Sequence, residues 1–299
     1  MNTMKPDMGS ILAVASISNK DKNEDACASV RNEGVPLAAL IVADGVGSHF
    51  AADQAARVVT GSALETLANL GAESAVDIEQ IFEGAHQRLK KHVLDNAEEI
   101  PADVDWANAF GTTLLCAVET QSRLLLGYVG NGALVHIRGN FNTFPDSQLL
   151  PWSAINYLNP HSFSRNGKNV LYKLLAPRSQ SPTVSPTVLS LQKDNELFGD
   201  IVVVCSDGIC SYDQTPIGRD GAGRIWIGSD ETLELLFETL KDFFAQECWT
   251  QEGLEEGLNA YLGTLREKNL ITDDCTLGVL ISERALSYQE ALRASAKAA

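Results

Sequence analysis

Apolar residues along the chain follow two rhythms. Short unbroken runs at Ile11–Ile17, Leu37–Ala43, Thr112–Val118, Leu124–Val129, Ala133–Ile137, Ile201–Cys205 and Thr276–Ile281 have the length and β-branched content of buried strands. Longer stretches in which apolar positions recur every three or four residues predict helices over roughly Ala51–Leu70, Ile78–Asn96, Glu231–Gln246, Glu252–Glu267 and the tail after Arg284. The strands come in blocks, and tight connections such as Glu119–Ser122 suit antiparallel pairing. The pattern predicts an α+β architecture with antiparallel sheets covered by long helices, not a repeating parallel βαβ fold.

Both rhythms fail between Gly139 and Asp200. Prolines and many Ser and Asn residues fill this stretch, yet Trp152, Tyr157, Phe163, Tyr172 and Leu174 give it packing surface. A single domain over residues 1–299, with a flap-like insertion at about 140–200 lying over a site, is the expected organisation. A chain of 299 residues with 44% hydrophobic content is long enough to bury the core this requires.

Charge narrows the partners. With 23 Lys and Arg against 39 Asp and Glu, the formal charge of −16 repels a phosphate backbone, so no nucleic-acid partner is expected. The six cysteines show no CxxC pair and no His at zinc-ligand spacing, which suits reduced core residues of a cytoplasmic protein. There is no basic leader with a cleavage site and no run of apolar residues long enough to span a bilayer, so no membrane association is expected.

The chemistry lies where strands end. LIVADGVGSH runs an apolar strand into Asp44, then Gly45 and Gly47, before the helical pattern begins. IVVVCSDG repeats the construction at Asp207 and Gly208, ahead of an expected helix start. NLITDDCTLGVLI places Asp273 and Asp274 just before a strand, and NKDKNEDACAS places Glu24 and Asp25 likewise. Any one of these is an ordinary turn with a capping acid. Several acids at neighbouring strand ends need a cation between them, because crowded carboxylates cannot all stay ionised unaided. Oxygen donors without His or Cys favour Mg²⁺ or Mn²⁺ over zinc.

NED at 23–25, DGVGSH at 44–49, GTT at 111–113, VGNG at 129–132, SDG at 206–208 and DDCT at 273–276 together resemble, in order and spacing, the metal-dependent type 2C (PPM) serine/threonine protein phosphatases of bacterial type. The resemblance covers about Asn19 to Ile281. It implies a four-layer α-β-β-α sandwich, two antiparallel sheets flanked by helix pairs, with a two-metal site at one end. It also implies metal ligation by Asp25, Asp44, Gly45 (through its carbonyl), Asp207 and Asp273, with Asp44 bridging both ions. Glu24, Asp274 and Asn131 would stand behind these ligands, although Asp274 reads equally well as a solvated turn acid. The implied activity is hydrolysis of phosphoserine and phosphothreonine in the protein substrates of a cognate kinase, by a hydroxide bridging the metals. Lys20, Asp44 and Asp207 are the expected catalytic residues.

The sequence departs from the family pattern in three places. Lys20 stands where an arginine is frequent, offering a point charge rather than a planar fork. Asn131 replaces an aspartate that helps to hold a third ion, so a third ion should bind more weakly or not at all. Val46 cannot protonate a leaving group, while His49, three residues on, is a candidate for that step or a simple surface histidine. These departures motivate the competing expectation of a catalytically weakened regulatory binding module; a hydrolase of small phosphomonoesters is a third.

Overall fold

The structure is a computed structural model that describes residues 9–32, 35–71, 75–106, 109–138, 155–165, 168–184, 186–191, 200–209, 217–219, 225–227 and 231–298. Its strands in chain order are β1 (Ile11–Ile17), β2 (Asp25–Asn32), β3 (Leu37–Asp44), β4 (Leu114–Thr120), β5 (Arg123–Val129), β6 (Ala133–Arg138), β7 (Ile155–Asn156), β8 (Ser162–Arg165), β9 (Lys168–Leu171), β10 (Thr187–Ser190), β11 (Asp200–Cys205), β12 (Ile217–Arg219), β13 (Ile225–Ile227) and β14 (Cys275–Ile281). The helices are α1 (Ala52–Ala68), α2 (Ile78–Asp95), α3 (Glu231–Ala245), α4 (Gln251–Glu267) and α5 (Glu283–Ala298).

Two antiparallel five-stranded sheets form, in the orders β1-β14-β11-β6-β7 and β10-β5-β4-β3-β2. Three separate cores show that they stack face to face between helices. Leu40 and Val42 of β3 meet Val202 and Val204 of β11 in a core between the sheets. Ala39, Ile41 and Ala43, the alternate residues of β3, face α1 and α2. Val203, Val279 and Ile281 face α3 and α4. Burial on both faces explains why these strands are unbroken apolar runs, and the expected α-β-β-α layering is what they build.

Helix starts follow local chemistry. Asp77 caps α2 by accepting from the Glu79 and Gln80 amides, and Thr250 caps α4 by accepting from the Gly253 amide. Asp207 to Ile209 form a turn, and the helix start expected after it falls on residues outside the described ones. β2 is longer than its polar sequence suggested.

Within the irregular segment, β7 extends one sheet, β10 extends the other, and β8 and β9 form a separate hairpin. Trp152 and Cys210 lie outside the described residues. Among the described residues, no helix is long and apolar enough to cross a membrane.

Candidate active site

Register puts the acids together. β2 and β3 pair so that Asp25 lies directly opposite Asp44 at the end of the sheet. In the facing sheet, β11 and β14 run antiparallel with Cys205 opposite Leu277, which brings the residues after β11 beside those before β14. Asp207 and Asp273 therefore reach the same end of the sandwich as Asp44, and all three line a cleft of about 1040 Å³ with Lys20, Gly45 and Asn131.

The two Asp-Gly turns are glycine for the same reason. A Cβ on Gly45 would meet the Ala52 carbonyl oxygen at 2.5 Å and the Glu24 carbonyl oxygen at 2.7 Å. One on Gly208 would meet the Asp274 carbonyl oxygen at 2.1 Å. Each aspartate can sit at its strand end only because the next residue lets another backbone pass against it.

The backbone of Asp44 is pinned from β4. Its amide donates to Thr113 Oγ1 at 2.9 Å, and its carbonyl accepts from the Thr113 amide at 2.8 Å and from Thr112 Oγ1 at 2.9 Å. Ser206 Oγ donates to Asp25 Oδ2 at 2.9 Å, and the Thr276 hydroxyl also bonds Asp25. These hydroxyls escaped the sequence reading. Their only signal was the Thr pair of GTT and a Ser or Thr close to an acid in SDG and DDCT.

Too much negative charge is gathered here for the chain to neutralise. Burial, then the charge of Asp274, pushes the Asp25 carboxyl up to about 6, against the bonds from Thr276, Asp44 and Ser206. Burial and the charges of Asp25 and Asp207 hold Asp44 well above the usual carboxylate range. Asp207 is raised too, by burial and by Asp273, although Asn131 and Lys20 oppose the shift. Asp44 stands against both Asp25 and Asp207, and their nearness adds to the rise in its proton affinity.

Lys20 is the cation that the chain itself supplies. Its Nζ bonds Glu24 Oε2 and Asp273 Oδ1, each at 2.6 Å. Partial burial opposes its charge, but the two acids outweigh this and hold its pKa above the ordinary lysine range.

Asp273 and Asp274, adjacent in sequence, do different work. The Asp273 side chain is half-exposed in the cleft. Asp274 is buried, and its Oδ1 accepts from Ser18 Oγ and the Asn19 amide at 2.9 Å each while Oδ2 accepts from the Glu24 amide at 2.8 Å. It holds the loop that carries Lys20 and is not a solvated turn acid. Asp53, which the sequence reading passed over, holds the same loop through Lys22 Nζ at 2.6 Å.

Asn131 donates to Asp207, while its Oδ1 is buried without a hydrogen-bond partner. His49 lines the cleft, its ring bonded to the Phe110 backbone and its pKa lowered by burial. Its Nδ1 has no partner.

Oxygen donors from Asp25, Asp44, Asp207, Asp273 and Asn131 make up a hard set of the kind Mg²⁺ and Mn²⁺ prefer. Among the described residues, no three His, Cys, Asp or Glu side chains stand apart at metal-holding geometry. The acids are drawn onto one another instead. Donor chemistry weighs more than that spacing, because the negative charge crowded here is what divalent cations would neutralise, and the residues fit such ions.

Residues 14–151 match the sequence model of the protein phosphatase 2C family. The fold is similar to that of a bacterial serine phosphatase at 17% identity and TM-score 0.62, covering 91% of this chain and 97% of that one. It is also similar to serine/threonine phosphatase Stp1 from Staphylococcus aureus, at 17% identity and TM-score 0.58 over 92% and 95% of the two chains. A third similar structure is the serine/threonine phosphatase PstP/Ppp of Mycobacterium tuberculosis, at 18% identity and TM-score 0.58 over 92% and 100%. No curated protein matches in sequence. Residues 14–151 thus carry the sequence pattern of the protein phosphatase 2C family, and the fold over nine-tenths of the chain is similar to that of bacterial serine/threonine phosphatases.

Proposed function

We propose that the chain is a metal-dependent protein phosphatase that hydrolyses phosphoserine and phosphothreonine in the protein substrates of a cognate kinase. The observation that carries this reading is the convergence of Asp25, Asp44 and Asp207 from both sheets at one end of the sandwich, beside one cleft, with proton affinities raised first by burial. Acids placed so expensively are kept for a cation.

Asp25, Asp44, Asp207 and Asp273, with the Gly45 carbonyl, would hold two Mg²⁺ or Mn²⁺ ions. When bound, such a pair supplies the acidity that activates water and neutralises charge on the phosphate. The chain's own groups prepare the site. Thr112 and Thr113 fix the backbone that carries Asp44, and Ser206 and Thr276 aim Asp25. Asp274 and Asp53 fix the loop from which Lys20 reaches the cleft, where its ammonium orients a phosphate. Asn131, a neutral ligand in place of an acid, leaves a third ion weakly held. Of the flap expected at about 140–200, part lies outside the described residues, and residues 170–174 and 179–183 wall the cleft. Cytoplasmic signalling is the setting that suits such an enzyme.

The test is hydrolysis of a phosphothreonine peptide and an aryl phosphate with Mn²⁺, Mg²⁺ or chelator, by the wild type and Asp207→Asn. Metal-dependent turnover that the variant lacks is expected. A folded wild type that is inert with either metal would overturn the reading and favour a regulatory binding module.

A further inference from the structure

Phe163, Val170 and Tyr172 are 47%, 38% and 61% exposed, large apolar side chains on one hairpin and the residue that follows it. Phe163 and Val170 are directly opposed across β8 and β9, so both stand on the same face. Phe163 stacks on Tyr172 with ring centroids 6.4 Å apart and planes 28° from parallel. Val170 and Tyr172 also line the cleft that holds Asp44, Asp207 and Asp273. An apolar face therefore continues directly from the acidic floor.

This face is held firmly from behind. The Tyr172 ring meets the His161 ring edge-on at 5.7 Å, and His161 in turn stacks on Tyr128 of β5 at 5.0 Å. The Tyr172 amide donates to the His161 carbonyl, and the His161 amide donates to the Gly130 carbonyl, both at 2.9 Å. The Gly130 amide donates to His161 Nδ1 at 3.1 Å. Gly130 precedes Asn131, which contacts Asp207, so the apolar face and the acid cluster share one backbone turn.

We propose that this face docks the substrate chain, receiving an apolar and best an aromatic side chain close in sequence to the phosphorylated residue. The proposal rests on the phosphatase reading above. Any phosphoprotein whose phosphate reaches the cleft floor carries its flanking residues across the wall formed by Val170 and Tyr172. An exposed aromatic pair rewards an apolar flank, whereas the formal charge of −16 penalises an acidic one. Continuity with the cleft favours the substrate chain over a second copy of this protein.

The experiment compares two phosphothreonine peptides, identical except that the residues flanking the phosphothreonine are Phe in one and Ser in the other, beside an aryl phosphate. The wild type, with Mn²⁺, is expected to prefer the Phe peptide about tenfold in kcat/KM, mostly through KM. Phe163→Ser and Tyr172→Ser should each remove most of that preference. Val188→Ser, which alters a 50% exposed residue of β10, should keep it.

A wild type that hydrolyses both peptides equally, or a preference that survives both substitutions, overturns the docking face alone. Self-association of the wild type that Tyr172→Ser abolishes, seen by sedimentation, would give the face to a second copy and also overturn it. Failure of the wild type to hydrolyse any of the three substrates sinks the phosphatase reading, and the docking face with it.

Discussion

Opposite ends of β11 both gather acid, and they treat it differently. Asp200, at the start of the strand, is 1% exposed and bonds His136 Nε2 at 2.7 Å, and its amide donates to Ser282 Oγ at 3.1 Å. About 17 Å of strand away, Asp207 joins Asp44 and Asp25 in a group whose carboxyls are all raised above their ordinary values, burial being the first cause. The first acid has partners fitted to it by the fold. The second group has Lys20 and a few hydroxyls, too little for its charge. Each end also carries a cavity, and the one bordered by Asp200, Arg31 and Glu119 measures about 920 Å³. Size does not separate the two ends, but unsatisfied charge does, and it marks the end near Asp207 as the working one.

The sharpest break in this comparison is a pair of substitutions with opposite effects on stability. Asp44→Asn should lower metal-dependent kcat/KM by about three powers of ten, roughly 4 kcal/mol of barrier. In chelator the same change should stabilise the fold by about 1–2 kcal/mol, because it removes a charge from a crowded group. Asp200→Ala should do the reverse, costing about 3 kcal/mol of stability by leaving His136 without its partner while the cleft stays intact. Urea denaturation in chelator gives both signs. A loss of stability in both variants would mean that the acid cluster is as well satisfied as the His136–Asp200 pair.

What the sequence disclosed follows the same division. Strands buried on both faces are continuous apolar runs, so β3, β11 and β14 were legible, as were the Asp-Gly steps that follow β3 and β11. β2 was less so, because its sequence DACASVRN is only partly buried along most of its length. The partners that satisfy each acid were not legible, since they come from far along the chain. Ser206 and Asp25 are 181 residues apart, and Asp44 and Thr113 are 69 apart. Only the family resemblance ranked Asp273 above Asp274; the pattern of residues around them did not. Successive side chains of an extended chain point to opposite sides, and only the packing of the Ser18–Glu24 loop decides which aspartate it engages. Within 155–190, strands of two to four residues among prolines carried no periodic signal to detect.

A smaller effect comes from pH. Asp25, with its carboxyl raised to about 6 in the fold, binds more protons folded than unfolded across the interval from the ordinary carboxylate value near 4 up to about 6. Its contribution to stability in chelator is thus complete below about pH 4 and is lost as pH rises through about 6. The raised carboxyls of Asp44 and Asp207 act in the same direction. Thermal denaturation with and without Mn²⁺ should show a stabilisation by metal that grows from pH 5 to pH 7.5. A metal effect that is flat across this range would place the ion elsewhere.

Lys20 gives the mildest test and the finest one, because it serves both sides of the charge balance. Its ammonium neutralises Glu24 and Asp273 and faces the cleft in which a phosphate would lie. Lys20→Ala removes a cation that competes for Asp273, so the Mn²⁺ concentration giving half-maximal thermal stabilisation should fall about threefold, within the range of a partly exposed ion pair. The same variant should raise KM for a phosphopeptide by about three- to tenfold, the worth of one charge-assisted contact. Lys20→Arg should restore KM or improve on it, since a planar fork can hold an acid and a phosphate oxygen together. Movement of KM and metal affinity in opposite directions separates a residue that orients phosphate from one that only shields acids. If both instead weaken together in Lys20→Ala and stay weak in Lys20→Arg, the ammonium is a structural pin for the Ser18–Glu24 loop, and the chain offers the acid cluster no working cation at all.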